Sequence, residues 1–224
     1  MKDVAGHKAR LASGITGRRL GLGSEGSFGP HPYIPFAAVD QEMVALYDRE
    51  LGITIYESVV SLRTNFLHLD IDKSSDLDAF LRCIGFPQHG IVIGIADEPA
   101  PWTKGVQKRH ELDSAISELA KRADGRAIRI TTDMRAHVNP TRMRVIRAAA
   151  ARLARRVKSL CPSCGAPGFG IVDVQRGAPC SDCGEPTERI AATLLGCACC
   201  PRRELQPVRK SEPVDPKYCL VCNP

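Results

Sequence analysis

The sequence predicts an α/β protein: a mixed-sheet domain followed by a small C-terminal, zinc-ribbon-like module. Three observations predict it. Short apolar runs with strand period alternate with amphipathic stretches of helical period through the first two thirds of the chain. The positive charge is confined to one segment: residues 1–139 carry 17 Lys/Arg against 18 Asp/Glu, 140–158 carry 7 basic residues and no acid, and 159–224 carry 7 of each. The last third contains eight cysteines spaced as four C-x-x-C pairs. The expected boundaries are therefore an α/β domain over 1–158, closed by a basic helix at 140–158, and a double zinc module over 159–224.

Each element has its own signal. Ala5 to Ile15 reads as a short helix, and Arg19 to Glu25 as a strand running into a glycine-rich turn, GSEGSFGPHP. Glu42 to Asp48 and Ile53 to Ser61 are rich in Val, Ile and Tyr, and the Glu50-Leu51-Gly52 break between them predicts a β-hairpin. Asn65 to Ile71 would prolong that meander. Ser75 to Ile84 has helical spacing, with Ser74 or Ser75 as N-cap and Gly85 at the C-terminal end. Gly90 to Ala96 is a short apolar strand, Arg109 to Arg122 an amphipathic helix, and Arg126 to Val138 the last strand of the domain. In the basic helix, Met143, Ile146, Ala150, Leu153 and Val157 form the expected core stripe.

The composition excludes some classes. A hydrophobic fraction of 43% supports a packed core rather than a disordered chain. No apolar run reaches the ~18 residues of a membrane span, and the start, MKDVAGHKARLASG, has no signal-peptide core. A cytoplasmic, reducing location is expected, where cysteine pairs bind metal more often than they form disulfides.

The pairs are Cys161/Cys164, Cys180/Cys183, Cys197/Cys200 and Cys219/Cys222. A C-x-x-C turn aims two thiolates at one point, so two turns complete a tetrahedral structural zinc site. Four turns imply two Zn2+ ions. Gaps of 15 and 18 residues favour pairing neighbouring turns in order; joining the first pair to the third is the open alternative. CACC lets Cys199 or Cys200 close its pair, and Cys200 is favoured. Glycine follows Cys164 and Cys183, where a tight knuckle needs positive φ, and Asn223 is expected to serve after Cys222. All six histidines precede residue 139, so both sites are all-cysteine, with no open position for catalysis. Cys83 is expected in the core.

The stretch IRITTDMRAHVNPTRM is the most informative of the remainder. With a period of two, Arg129, Thr131, Asp133, Arg135 and His137 share one face. Asn139 is a good N-cap and Pro140 a good first helical residue. An acid, a guanidinium and an imidazole would thus reach a helix N-terminus, a natural anion site. The plain alternatives are a solvated strand face and an Asp133–Arg135 ion pair.

The motifs TDMRAHVNPTRM, CPSCGAPGFG and YCLVCNP, with SEGSFGPHP, FPQHG and Thr64-Asn65-Phe66, resemble an uncharacterised bacterial family known as a domain of unknown function. The resemblance spans nearly the whole chain and implies no activity. It implies members that begin further upstream, with a strand and helix before HKARLASGITGRR, so this chain is expected to start late. KARLASGITGRRLGLGSEGS is also similar to a segment of non-canonical purine nucleoside triphosphate pyrophosphatases. That likeness implies Lys8 on a phosphate and Glu25 on Mg2+. The substrate-binding N-terminal segment of those enzymes has no counterpart here.

The expected function is binding, and possible hydrolysis, of a phosphorylated small molecule or nucleotide by the α/β domain. Glu25, Asp133 and His137 would be catalytic, with Mg2+ on Glu25 and Asp133 and the base left open between an acid and His137. Arg135, Asn139, Arg142, Lys8 and His31 would bind ligand; His89 and Lys104 lie in loops that can join them. The alternative is a non-enzymatic zinc protein that contacts nucleic acid or a protein partner through the basic helix. A third reading makes the zinc module a lid or dimer contact. Enzyme status and oligomeric state stay open.

Overall fold

The computed structural model describes residues 1–31, 34–72, 74–99, 101–208 and 214–224, and the side chains of 31–36 lie outside that description. The elements in order are α1 (Lys2–Thr16), β1 (Leu20–His31), β2 (Ile34–Asp48), β3 (Ile53–Ser61), β4 (His68–Ile71), α2 (Leu77–Ile84), β5 (Ile91–Ile95), β6 (Thr103–Val106), α3 (Arg109–Arg122), β7 (Ile128–Thr132), α4 (Pro140–Val157), β8 (Gly170–Arg176), β9 (Ile190–Gly196) and β10 (Arg203–Pro207). Three sheets have the orders β1-β2-β3, β4-β7-β5-β6 and β10-β9-β8. The fold is a mixed α/β arrangement ending in two cysteine clusters, as the sequence predicts. Two compact units emerge. The first comprises Met1–Ala5, Ser24–Val44 and Glu57–Ala150; the second comprises Gly6–Gly23, Ala45–Tyr56 and Ala151–Pro224.

In the first unit the four-stranded sheet carries the core. β7 pairs antiparallel with both β4 and β5, and β5 with β6. Ile91, Ile93 and Ile130 are fully buried against Leu112 of α3 and Ile84 of α2. Asp76 caps α2 through a carboxylate oxygen that accepts the Ala79 N–H at 2.8 Å, so the cap lies one or two residues beyond the predicted serines. Gly85 ends the helix at φ 81°, a left-handed cap.

Five expectations are revised. GSEGSFGPHP is not a turn, because β1 continues through it to His31. Within it Gly26 serves close approach: a Cβ there would lie 2.5 Å from Glu42 Oε1 and 2.6 Å from Arg142 Nη2. β4 does not extend the first meander; it pairs with β7. β7 stops at Thr132, where the Asp133 N–H donates to Gly90 O and the Gly90 N–H to Val138 O. The chain from 133 to 138 therefore curls around Gly90, and the predicted polar row is broken. The buried stripe of α4 is Val145, Ala149 and Leu153, while Met143 is exposed. Cys83 is exposed, not core.

In the second unit β8, β9 and β10 form an antiparallel meander, with Gly170 opposite Gly196 at one end and Arg176 opposite Ile190 at the other. Ala9 and Ser13 give α1 a buried stripe of small side chains, and a Cβ on Gly21 would fall 2.0 Å from Ala9 O. Arg156 binds three carbonyls, donating to Gly168, Tyr56 and Ile171 at 2.8–3.0 Å. Among the described residues no helix is long and apolar enough to cross a membrane.

Candidate metal centres and a buried carboxylate pair

The eight paired cysteines gather into two tetrads, Cys161/Cys164/Cys197/Cys200 and Cys180/Cys183/Cys219/Cys222, each able to hold a metal ion. Pairing in chain order is thereby overturned in favour of the interleaved alternative. The cause is the β8–β9 hairpin. Antiparallel pairing sets the segment before β8 beside the segment after β9, and the β8–β9 connection lies at the opposite end. Cys200 rather than Cys199 completes the first tetrad, and Cys199 is exposed.

Within the first tetrad Cys161 Sγ lies 3.8 Å from Cys200 Sγ, and Cys164 Sγ 3.6 Å from Cys197 Sγ. Within the second, Cys180–Cys222 and Cys183–Cys219 are 3.9 and 3.6 Å apart. Gly165 (φ 71°) and Gly184 (φ 75°) turn the first knuckle of each site, and their N–H groups donate to Cys161 O and Cys180 O. Asn223 makes the equivalent bond to Cys219 O but is not among the positive-φ residues, so that expectation is revised. Backbone N–H groups also face the sulfurs, as where Cys199 N and Cys200 N donate to Cys197 Sγ at 3.2 and 3.4 Å. The N–H groups of Cys222 and Val221 draw the Cys219 thiol down to about 7. Cys222, facing Cys183 and Cys180, is pushed up to about 12. Four clustered thiols cannot all ionise without a cation to share their charge.

The residues expected to hold phosphate are largely committed to one another. Asp133 is buried, and its carboxylate accepts from Arg135 Nε (3.0 Å), Arg135 Nη2 (2.6 Å) and the Arg135 N–H (3.0 Å). Burial raises that carboxyl, but the Arg135 and Gly105 donors outweigh it and hold the pKa below the usual range. Asn139 is fully buried and caps α4, its Oδ1 accepting the Arg142 N–H at 3.0 Å. The Thr141 N–H faces His89 Nε2 at 3.3 Å, and His89 also meets Thr141 Oγ1 at 2.9 Å. The first donors of α4 are thus satisfied within the protein and do not form the open anion site expected of them. Lys8 and His137 are exposed, on α1 and on a single 3-10 turn. The His31 side chain lies outside the described residues. Lys104 is exposed on β6.

A different polar cluster forms on β1 and β2. Asp40 and Glu42, two residues apart on one face of β2, are both fully buried. Arg142 reaches Glu42 Oε1 through Nε at 2.5 Å and donates through Nη1 to Met134 O at 2.5 Å. Its guanidinium also lies 5.0 Å from the centre of the Phe28 ring. Among the described residues neither carboxylate oxygen of Asp40 has a hydrogen-bond partner. Burial, then the charge of Glu42, pushes the Asp40 pKa up to about 7, with Arg142 acting the other way. Glu25, half-buried on β1, raises Glu42 through its charge. Of the expected site residues, this cluster joins Glu25 and Arg142. Reading the strand from Glu42 hid Asp40; the alternation Asp40, Glu42, Val44 on one face was the available signal.

No curated protein and no solved structure matches the chain. One family does, a domain of unknown function, DUF6671, over residues 8–224. With nearly all of its length matched, the chain belongs to the DUF6671 family.

Proposed function

We propose that the two tetrads hold structural Zn2+ and that the first unit binds a phosphorylated small molecule. The sulfur geometry carries the zinc reading. A ZnS4 tetrahedron with Zn–S of about 2.3 Å has edges of about 3.8 Å, against the 3.6–3.9 Å separations measured here. With all four corners thiolate, each ion is closed to substrate and stabilises folding rather than reacting. Metal analysis of purified protein tests this: two zinc ions per chain are expected, and fewer than two after full reconstitution rejects it.

The ligand reading rests on a cavity of about 230 Å³ lined by Ser61, Arg63, Thr141 and Arg144 over Val59 and Val145. Neither arginine is ion-paired among the described residues. Two guanidiniums above an apolar floor suit a phosphoryl group. This moves the phosphate subsite away from Arg135 and Asn139. The exposed arginines of α4 support a second reading, nucleic-acid binding without catalysis. A thermal-shift panel on zinc-loaded protein separates them. Stabilisation by nucleoside phosphates that is lost in Arg63→Ala supports the cavity, with released phosphate reporting any hydrolysis. Binding only to a short nucleic acid, weakening steeply with salt, supports the second reading.

A further inference from the structure

Asp40 is an anomaly the preceding readings do not use. It is fully buried, and neither oxygen accepts a hydrogen bond from the described residues. Buried carboxylates are ordinarily paired, hydrogen-bonded or bound to a cation. Its neighbour Glu42 lies within hydrogen-bonding reach and is itself an acceptor. Arg142 donates to both oxygens of Glu42 but unequally, from Nε to Oε1 at 2.5 Å and from Nη2 to Oε2 at 3.5 Å. Among the described residues the two oxygens of Asp40 are therefore without a donor, and Oε2 of Glu42 has only the long one. Glu25 adds a third carboxylate nearby. Fully ionised, Asp40 and Glu42 against Arg142 leave a net charge of −1 within the buried pair, which a bound cation would offset.

We propose that Asp40 and Glu42 are the protein ligands of a site for a hard divalent cation of the Mg2+ and Mn2+ class, with Glu25 supplying further negative charge beside it. The donors are all oxygen, which selects such ions over the thiophilic metal of the cysteine tetrads. Mg2+ is commonly held by one or two carboxylates, with water or ligand oxygens completing the octahedron. Arg142 acts as a positioning residue: it holds Glu42 chiefly through Oε1, and its long bond to Oε2 is the one an ion would replace. The close approach at Gly26 keeps β1 against this pair, because any side chain there would displace Glu42 or Arg142.

The test uses the full, zinc-loaded chain and Mn2+ titration followed by electron paramagnetic resonance, with Mg2+ as competitor. Zinc loading keeps Mn2+ off the thiolates. One Mn2+ per chain, displaced by Mg2+, is expected, and Asp40→Asn should weaken it by about tenfold or more. Glu25→Gln should produce a smaller fall with zinc content unchanged, and it decides the matter if Asp40→Asn does not fold. A wild-type chain that leaves the Mn2+ signal untouched at millimolar concentration overturns the site. So does unchanged affinity in Asp40→Asn, or in Glu25→Gln where that variant decides; the buried pair then simply shares a proton.

Discussion

Arg142 and Arg135 each sit against a carboxylate that folding has removed from water, and that decides what their loss would do. Glu42 is fully buried and Arg142 keeps only 15% of its side-chain exposure. Removing one partner of such a pair strands the other charge, at about 3–5 kcal/mol. Arg142→Ala should therefore lower stability by that order in denaturant titration, and a loss below 1 kcal/mol would contradict the buried pair. Arg135 is 45% exposed and Asp133 retains other donors, so Arg135→Ala should cost only about 1–2 kcal/mol. Asp40 gives a pH signature. Its folded pKa, about 7, lies above the ordinary 3.8. The folded state thus retains a proton the unfolded state has released, and stability is lost as pH rises between those values. Without divalent cations, Asp40→Asn should flatten that decline in melts collected from pH 4 to pH 8. An equally steep decline would place the titrating group elsewhere.

At the scale of elements, the hairpin of β8 and β9 governs the metal centres. Gly170 faces Gly196, so the knuckle preceding β8 meets the knuckle following β9. Double substitutions read this pairing directly. Cys164→Ser with Cys197→Ser removes ligands from one tetrad, so one metal ion should remain. Cys164→Ser with Cys180→Ser touches both tetrads, so neither should hold metal tightly. Equal metal content in the two variants would contradict the interleaving. Helix and cap signals were legible at this scale: Asn139 and Pro140 start α4, and Gly85 ends α2. Strand ends were not. Glycines that serve close packing in β1 look like turn glycines in sequence, and β7 ends where a loop contact captures its backbone at Gly90.

At the scale of the molecule, the two compact units have different sources of stability. The first has an apolar core of isoleucine and leucine on its four-stranded sheet. In the second, the β8–β10 meander is largely exposed, β8 having no buried residue, and near the knuckles the buried side chains are Cys161, Cys180, Cys197 and Cys219 with a few small residues such as Ala166 and Ala178. Metal removal should therefore melt the meander first. Hydrogen exchange with and without chelator should show protection lost over β8–β10 and kept in β5 and β7. Uniform loss would mean that the sheet core also depends on the metal. The sequence by itself determined the α/β class, the four C-x-x-C knuckles and the capped helix at Asn139, because these are written in local spacing and backbone preference. Tertiary structure decided which knuckles share an ion, which arginines are spent on buried acids, and that Asp40 stands beside Glu42 without a donor. Those outcomes depend on strand register and on chain segments up to a hundred residues apart, as Arg142 and Glu42 are, and no local pattern encodes them.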